Sequence, residues 1–186
     1  MNHLINQITE LLETKSNAVI AIDGMCASGK TTFAELLSER FGIQVIHTDD
    51  FFLPFEMRTD ERLSRIGGNI HYERFIKEVI TPINERQDFE YRIFDCSTGT
   101  YCSRKSICAN KPIIIEGAYS LHPEYPDIYD LKIFFQTSSE TQLTRIEKRN
   151  GSDALKTFKD KWIPFENRYF DAFKIKEKCD ITIENR

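Results

Sequence analysis

The sequence lacks both a long apolar run and a block of like charge. Its longest apolar run, Ala18–Ile22, is far shorter than a membrane-spanning helix, and the N-terminus has no basic region followed by a hydrophobic one. Lysine and arginine are dispersed and the formal net charge is −4, so we expect neither nucleic acid nor a membrane as a partner. These features predict a cytoplasmic protein.

The sequence also lacks a cysteine pattern typical of disulfides. The five cysteines are odd in number and contain no C-x-x-C pair, which favours reduced thiols over a disulfide framework. Three of them, Cys96, Cys102 and Cys108, are evenly spaced, but no fourth metal ligand accompanies them. The chain also has no internal repeat, and its 186 residues suffice for one domain around a single core.

A phosphate-binding pattern follows the first apolar segment. Residues 19–23 have the β-branched character of a strand buried on both faces, and G-x-x-x-x-G-K-T comes directly after them. Glycines let the backbone N–H groups surround phosphate oxygens, while Lys30 can reach the β- and γ-phosphates and Thr31 can ligate Mg²⁺. The pattern predicts a nucleoside triphosphate site formed by Gly24, Met25, Cys26, Ala27, Ser28, Gly29, Lys30, Thr31 and Thr32.

Two further apolar strands end in carboxylates. Residues 43–46 precede Asp49 and Asp50, and residues 113–115 precede Glu116. Because ligands in open α/β sheets bind at the carboxyl ends of the strands, Asp49 and Asp50 are candidates for a general base or a metal-linked acceptor, and Glu116 is a candidate magnesium ligand. A turn or helix-cap role for either aspartate, and a purely structural role for Glu116, remain the alternatives.

The segments between these strands suggest accessory elements. Residues 3–14 have the periodicity of an amphipathic helix, which either covers the core or binds a partner. Residues 54–70 are predicted to be a flexible segment over the site, and residues 71–80 a helix that stops near Pro82. Residues 89–109 alternate as in a hairpin, which either forms a substrate lobe with Tyr91, Arg92 and Asp95 or packs for stability.

The last third adds a pair of cations. A helix beginning near Ser139 carries Arg145 and Arg149 on one face, which either reach a transferring phosphoryl group from a lid at about residues 145–155 or are simply solvated. An aromatic helix with Phe158, Trp162 and Phe165 and a short strand at residues 179–183 complete the chain. The whole pattern predicts a three-layer α/β fold with a central parallel five-stranded sheet, helices on both faces and a small β-hairpin insertion.

Together these motifs resemble the uridine kinase and phosphoribulokinase family of P-loop kinases over about residues 18–183. The resemblance implies ATP and Mg²⁺ as cofactors and a phosphoryl transfer to a hydroxyl group. It implies that Asp49 and Lys30 are catalytic, that Thr31 and Glu116 bind magnesium, and that Arg145 and Arg149 are lid arginines. The segment Phe94-Asp95-Cys96 resembles the nucleoside-pocket segment of the family. Taken with the candidates of the other segments, the expected substrate-binding residues are Asp49, Phe52, Tyr91, Asp95 and Arg58.

The chain departs from the family where Thr98 and Gly99 replace a pocket histidine and Cys96 replaces an aromatic residue. Uridine or cytidine is therefore the first expectation for the acceptor, and pantothenate, nicotinamide riboside, glycerate or a sugar phosphate are the alternatives. A mononucleotide acceptor, held by Arg58, Arg62 and Arg65, and a nucleotide-dependent regulatory module also stay open. Family members often associate, so a homo-oligomer is a further expectation.

Overall fold

A parallel five-stranded sheet forms the centre of the computed structural model, which describes residues 2–185. The strands of the chain are β1 (Val19–Gly24), β2 (Gln44–His47), β3 (Phe89–Asp95), β4 (Thr100–Ile107), β5 (Ile113–Glu116), β6 (Leu131–Gln136) and β7 (Ile181–Glu184). The sheet has the strand order β2-β5-β1-β6-β7 with every pairing parallel, while β3 and β4 form a separate antiparallel hairpin. The predicted fold and its hairpin insertion are confirmed.

Helices cover both faces of the sheet. They are α1 (Asn2–Thr14), α2 (Lys30–Phe41), α3 (Asp60–Ser64), α4 (Tyr72–Phe75), α5 (Thr81–Glu85), α6 (Ser139–Asn150), α7 (Ser152–Thr157) and α8 (Ile163–Phe173). Short 3₁₀ turns span Thr48–Phe51, Phe55–Met57 and Lys176–Lys178. No helix within residues 2–185 is both long and apolar enough to cross a membrane.

The core consists of two apolar layers on opposite faces of the sheet. Ile20, Ile22, Ile114 and Ile133 pack with Leu4 and Ile8 of α1 and with Phe33 and Leu37 of α2. The alternate strand residues, such as Ile115 and Phe134, pack on the other face with Phe51, Phe75 and Tyr169. Successive side chains of a strand point to opposite faces, so a central parallel strand must be apolar throughout. The first helix therefore covers the core, as one of its two predicted roles requires.

The predicted stop of the second amphipathic helix near Pro82 is wrong. The helix continues from α4 through a π-helical segment, Ile76–Ile80, into α5 and ends at Glu85. The N–H of Thr81 bonds the carbonyl of Ile76, five residues back, and this wider turn directly precedes the proline that lacks an N–H. The same arrangement recurs where the π segment Phe158–Trp162 joins α7 to α8 just before Pro164.

Candidate active site

A cavity of about 370 Å³ lies at the carboxyl ends of β1, β2 and β5. The loop after β1 contributes Cys26 and Ala27, α2 contributes Lys30 and Thr31, and β5 ends in it with Glu116. The remaining lining residues come from elements far apart in the sequence: Asp49, Phe52, Arg58, Leu63, Asn69, Cys96, Gly117, Ala118, Tyr119, Arg149, Phe158, Lys161, Trp162, Phe165 and Glu166. Most of the predicted site residues thus share one concave surface, which is where an α/β sheet binds its ligands.

The phosphate-binding loop has the close backbone packing that its glycines predict. At Gly24 a Cβ atom would lie 2.0 Å from the carbonyl oxygen of Phe135 on β6, so only glycine fits there. Gly29 has a φ of 96° and α2 starts directly after it, which leaves the first N–H groups of the helix without intrahelical partners. The Lys30 ammonium donates to the carbonyls of Gly24 and Met25 at 2.8 Å each. Loop, lysine and helix N-terminus together form an anion-binding surface.

Thr31 and Glu116 meet beside this loop. The Thr31 hydroxyl donates to Oε1 of Glu116 at 3.2 Å, and Oε2 of Glu116 lies 2.8 Å from Nδ1 of His47. The bond to buried Glu116 raises the pKa of His47. The donor set fits Mg²⁺, which favours oxygen ligands and usually takes only one or two from a protein beside phosphate oxygens and water. Within the described residues no group of three or more His, Cys, Asp or Glu side chains is arranged to hold a metal ion. The evenly spaced cysteines Cys96, Cys102 and Cys108 therefore form no such group.

The two adjacent aspartates face different surroundings. Asp49 lines the cavity, where desolvation by the surrounding protein raises its pKa; the charge of Glu116 raises it further and Lys30 opposes the shift. Asp50 instead accepts a hydrogen bond from the Tyr91 hydroxyl at 2.9 Å, outside the cavity lining. Both aspartates belong to the 3₁₀ turn Thr48–Phe51, and their side chains diverge because consecutive residues of a tight turn point in different directions. Asp49 is therefore the aspartate available to a ligand.

The four other expected substrate residues divide in the same way. Phe52 and Arg58 line the cavity, and the Arg58 guanidinium lies 3.8 Å from the sulfur of Cys96. Tyr91 is only 1 % exposed and belongs to the apolar core, so the structure corrects its expected role in substrate binding. Asp95 accepts hydrogen bonds from the backbone N–H and the hydroxyl of Ser97, both at 2.7 Å, and so caps the hairpin turn instead of lining the cavity.

The arginine pair on α6 lies across the phosphate loop. Arg145 donates to the carbonyl of Ala27 at 3.3 Å and lines a second groove of about 450 Å³ with Asn185. Arg149 lines both this groove and the cavity. The groove and the cavity also share Ala27, Lys30 and Thr31, so they meet at the phosphate loop. A triphosphate bound to the loop would therefore have the groove at one end and the cavity at the other.

Two further arginines that were expected to hold a second phosphate, Arg62 and Arg65, form salt bridges with glutamates outside the cavity lining. Arg62 forms a two-pronged salt bridge with Glu73, at 2.6 and 2.9 Å, and also donates to the carbonyls of Gly68 and Ile70. Arg65 pairs with Glu61 at 2.8 Å. These bonds fold the segment before α4 back on itself and leave Arg58 as the one arginine of the three that lines the cavity.

Sequence reasoning missed Glu166. This residue of α8 lines the cavity, and its Oε2 accepts a hydrogen bond from the backbone N–H of Cys26 at 2.8 Å. No motif marks it, since the two residues are 140 positions apart. The aromatic residues of its helix were expected, but only their packing could show that Trp162 and Phe165 line the same cavity.

Comparison with known proteins identifies the family. Residues 20–172 match the family described as AAA domain. The chain belongs to this family. A uridine kinase of Ureaplasma parvum is 25% identical over 174 residues, covering 87% of this chain and 84% of its own length. A cytidylate kinase of Thermotoga maritima is 28% identical over 163 residues, covering 76% of this chain and 74% of its own length.

Two solved structures share the fold. One, titled a possible uridine kinase from Bacillus stearothermophilus, has a TM-score of 0.70 at 19% identity and covers 97% of this chain and 99% of its own. The phosphoribulokinase from Rhodobacter spheroides has a TM-score of 0.59 at 12% identity and covers 91% of this chain and 70% of its own. With the family match and the curated relatives, the predictions of a P-loop kinase family and of an ATP-dependent kinase are confirmed.

Proposed function

We propose that this kinase transfers the γ-phosphoryl group of ATP to a hydroxyl group of a pyrimidine nucleoside, uridine or cytidine. The observation that carries the proposal is the position of Asp49, which lines one cavity with Lys30, Thr31 and Glu116. A hydroxyl acceptor has to lose a proton during transfer, and a carboxylate beside the phosphate site is the group that can take it.

In the proposed reaction the acceptor oxygen forms a bond to the γ-phosphorus as the bond from that phosphorus to the β–γ bridging oxygen breaks. The products are ADP and the phosphate ester, and the acceptor proton passes to Asp49. Asp49 is exposed within the cavity, so an acceptor that enters can reach its carboxylate. Lys30 and Arg149 stabilise the negative charge on the transferring group.

Thr31 and Glu116 would hold Mg²⁺. When bound, the ion neutralises charge on the β- and γ-phosphate oxygens. The nucleoside part of ATP would occupy the groove beside Arg145 and Asn185, and the acceptor would occupy the cavity beside Asp49. Because the two spaces meet at the loop, this assignment puts the acceptor hydroxyl and the γ-phosphate next to each other.

The lining of the cavity supports a planar acceptor. Phe52, Phe158, Trp162 and Phe165 contribute aromatic rings to it, and the rings of Phe52 and Trp162 lie 6.2 Å apart. Aromatic faces bind a nucleobase by stacking, and glycerate and sugar phosphates have no aromatic ring that could stack in this way. The uridine kinase among the relatives agrees with this acceptor class.

A pyrimidine nucleoside monophosphate is the second candidate, favoured by the similarity to a cytidylate kinase and by Arg58 and Lys161 in the cavity. Its phosphate needs no general base. A mononucleotide kinase should therefore tolerate the loss of Asp49 better than a nucleoside kinase does.

The deciding experiment measures ADP formation with ATP and Mg²⁺ against uridine, cytidine, UMP, CMP, pantothenate, nicotinamide riboside, glycerate and ribulose phosphate, with products identified by mass. We then compare Asp49→Asn with the matched variant Asp95→Asn, which should behave as wild type because Asp95 only caps a turn. Asp49→Asn should lower kcat about 10²- to 10⁴-fold and keep its affinity for ATP. Turnover of CMP alone, or a kcat of Asp49→Asn within about twofold of wild type, would overturn the nucleoside proposal. ATP binding without transfer to any acceptor would favour a regulatory module.

A further inference from the structure

A carboxylate of the last long helix contacts the phosphate-binding loop. Oε2 of Glu166 accepts a hydrogen bond from the N–H of Cys26 at 2.8 Å, and the carbonyl of Cys26 accepts one from Nε2 of Gln142 at 3.1 Å. Backbone N–H groups of such loops are the donors that hold phosphate oxygens. The Glu166 carboxylate thus makes the kind of bond that a phosphate oxygen would make.

The charges around Glu166 are mixed. The cavity that it lines also holds four cations, Lys30, Arg58, Arg149 and Lys161, and two further anions, Asp49 and Glu116. Burial raises the pKa of Glu166 to about 7, with Lys30 and the Cys26 bond opposing the shift and Asp49 adding to it. A triphosphate on the loop would add several negative charges to this desolvated space, where like charges repel strongly.

We propose that Glu166 competes with nucleotide phosphate for the N–H of Cys26, so that nucleotide binding must displace its side chain from the loop. This inference rests only on the nucleotide-binding part of the proposed function. It makes Glu166 a determinant of nucleotide affinity that no motif of the loop itself contains.

The displacement has a natural reporter. Trp162 is the only tryptophan of the chain, lines the same cavity and precedes Glu166 by about one helical turn. A side chain that leaves the loop should therefore change the surroundings of Trp162 and its fluorescence.

The test measures the Kd of ATP, ADP and adenosine by calorimetry at pH 8, without an acceptor, for wild type, Glu166→Gln and Glu166→Ala. Asp171→Asn removes one exposed charge from the same helix and is the matched control. Glu166→Gln should bind ATP and ADP about tenfold more tightly, because a neutral amide competes less well than a carboxylate for the N–H and no longer repels phosphate. Adenosine should bind equally to all four proteins, and Asp171→Asn should match wild type throughout.

Unchanged or weaker ATP binding by both Glu166 variants would overturn the inference, since Glu166 would then support the loop and not compete for it. Equal tightening for adenosine would overturn it too, because adenosine carries no phosphate. If Glu166→Gln does not fold, Glu166→Ala alone decides by the same criteria, and should neither variant fold, Glu166 supports the fold and the inference is wrong. A protein that shows the predicted tightening but phosphorylates nothing would refute the proposed function and leave this inference standing.

Discussion

Removing one hydroxyl group from the core should destabilise the base of the phosphate loop. Asp23, at the end of β1, is fully buried and its carboxylate accepts three hydrogen bonds. They come from the N–H groups of Gly24 and Leu121, at 2.6 and 3.0 Å, and from the hydroxyl of Tyr169 on α8, at 2.7 Å. Tyr169→Phe keeps the aromatic ring and its packing, so the substitution removes the hydrogen bond and little else.

The expected loss is about 2 kcal/mol of the free energy of unfolding, because a hydrogen bond to a buried charged group contributes about 1.5–3 kcal/mol. With a urea dependence of about 2 kcal/mol per M, the midpoint of unfolding should fall by about 1 M. Tyr101→Phe is the matched control: Tyr101 is 40% exposed, and its midpoint should stay close to that of wild type.

The pH dependence gives a second readout. Burial raises the pKa of Asp23 above 3.8, its ordinary value, and the Tyr169 hydroxyl lowers it again, so Tyr169→Phe should raise it further. A carboxyl group that holds its proton more tightly in the folded state loses stabilisation as the pH rises above its unfolded pKa. The deficit of Tyr169→Phe should therefore grow as the pH rises from 4 towards 7. A deficit below about 0.5 kcal/mol, or one that shrinks as the pH rises, would refute this reasoning.

Two further substitutions test the loop and its arginine. Gly24→Ala places a Cβ atom 2.0 Å from the carbonyl oxygen of Phe135, so we expect urea unfolding to show a loss of more than about 3 kcal/mol of the free energy of unfolding. The control Gly42→Ala has no atom within 4 Å of the new Cβ and should lose only about 1 kcal/mol, because of its positive φ. Equal losses would contradict the steric argument. Arg149→Ala should lower kcat about 10²- to 10³-fold with little change in the Kd of ATP, because the arginine is proposed to stabilise charge on the transferring group. The control Lys148→Ala should retain activity, since Lys148 does not line the cavity. A reduced ATP affinity with unchanged kcat would assign Arg149 to nucleotide binding.

Local sequence patterns were sufficient for the sheet and for the phosphate loop. A strand, a glycine-rich loop and a helix follow one another directly, and the two other carboxylate-bearing strands end at the same edge because parallel strands share their direction. The sequence alone therefore predicts that Asp49 and Glu116 lie near Lys30, and all three line one cavity.

Residues whose position depends on packing could not be placed in this way. Tyr91 belongs to a hairpin strand whose buried residues, Tyr91 and Phe94, are three positions apart across a register shift, so its burial follows no simple alternation. Only the docking of the hairpin decides that Tyr91 meets the core and its hydroxyl meets Asp50. Pro82 was expected to end a helix because proline removes a hydrogen bond, but the π turn before it keeps the helix continuous. Such a turn has no signature in propensity, since it depends on tertiary contacts that compensate its cost.

Helix α8 contacts the phosphate loop and the strand end before it through two hydrogen bonds in different surroundings. Tyr169 bonds the buried Asp23 at the root of the loop, whereas Glu166, one turn earlier, bonds Cys26 inside the cavity, where a nucleotide would compete. The bond to Asp23 lies away from the cavity lining, so it should persist when the bond to Cys26 is broken. A conformational change on nucleotide binding should therefore be confined to the chain before Tyr169, which includes the π segment with Trp162 and leads back to the predicted lid.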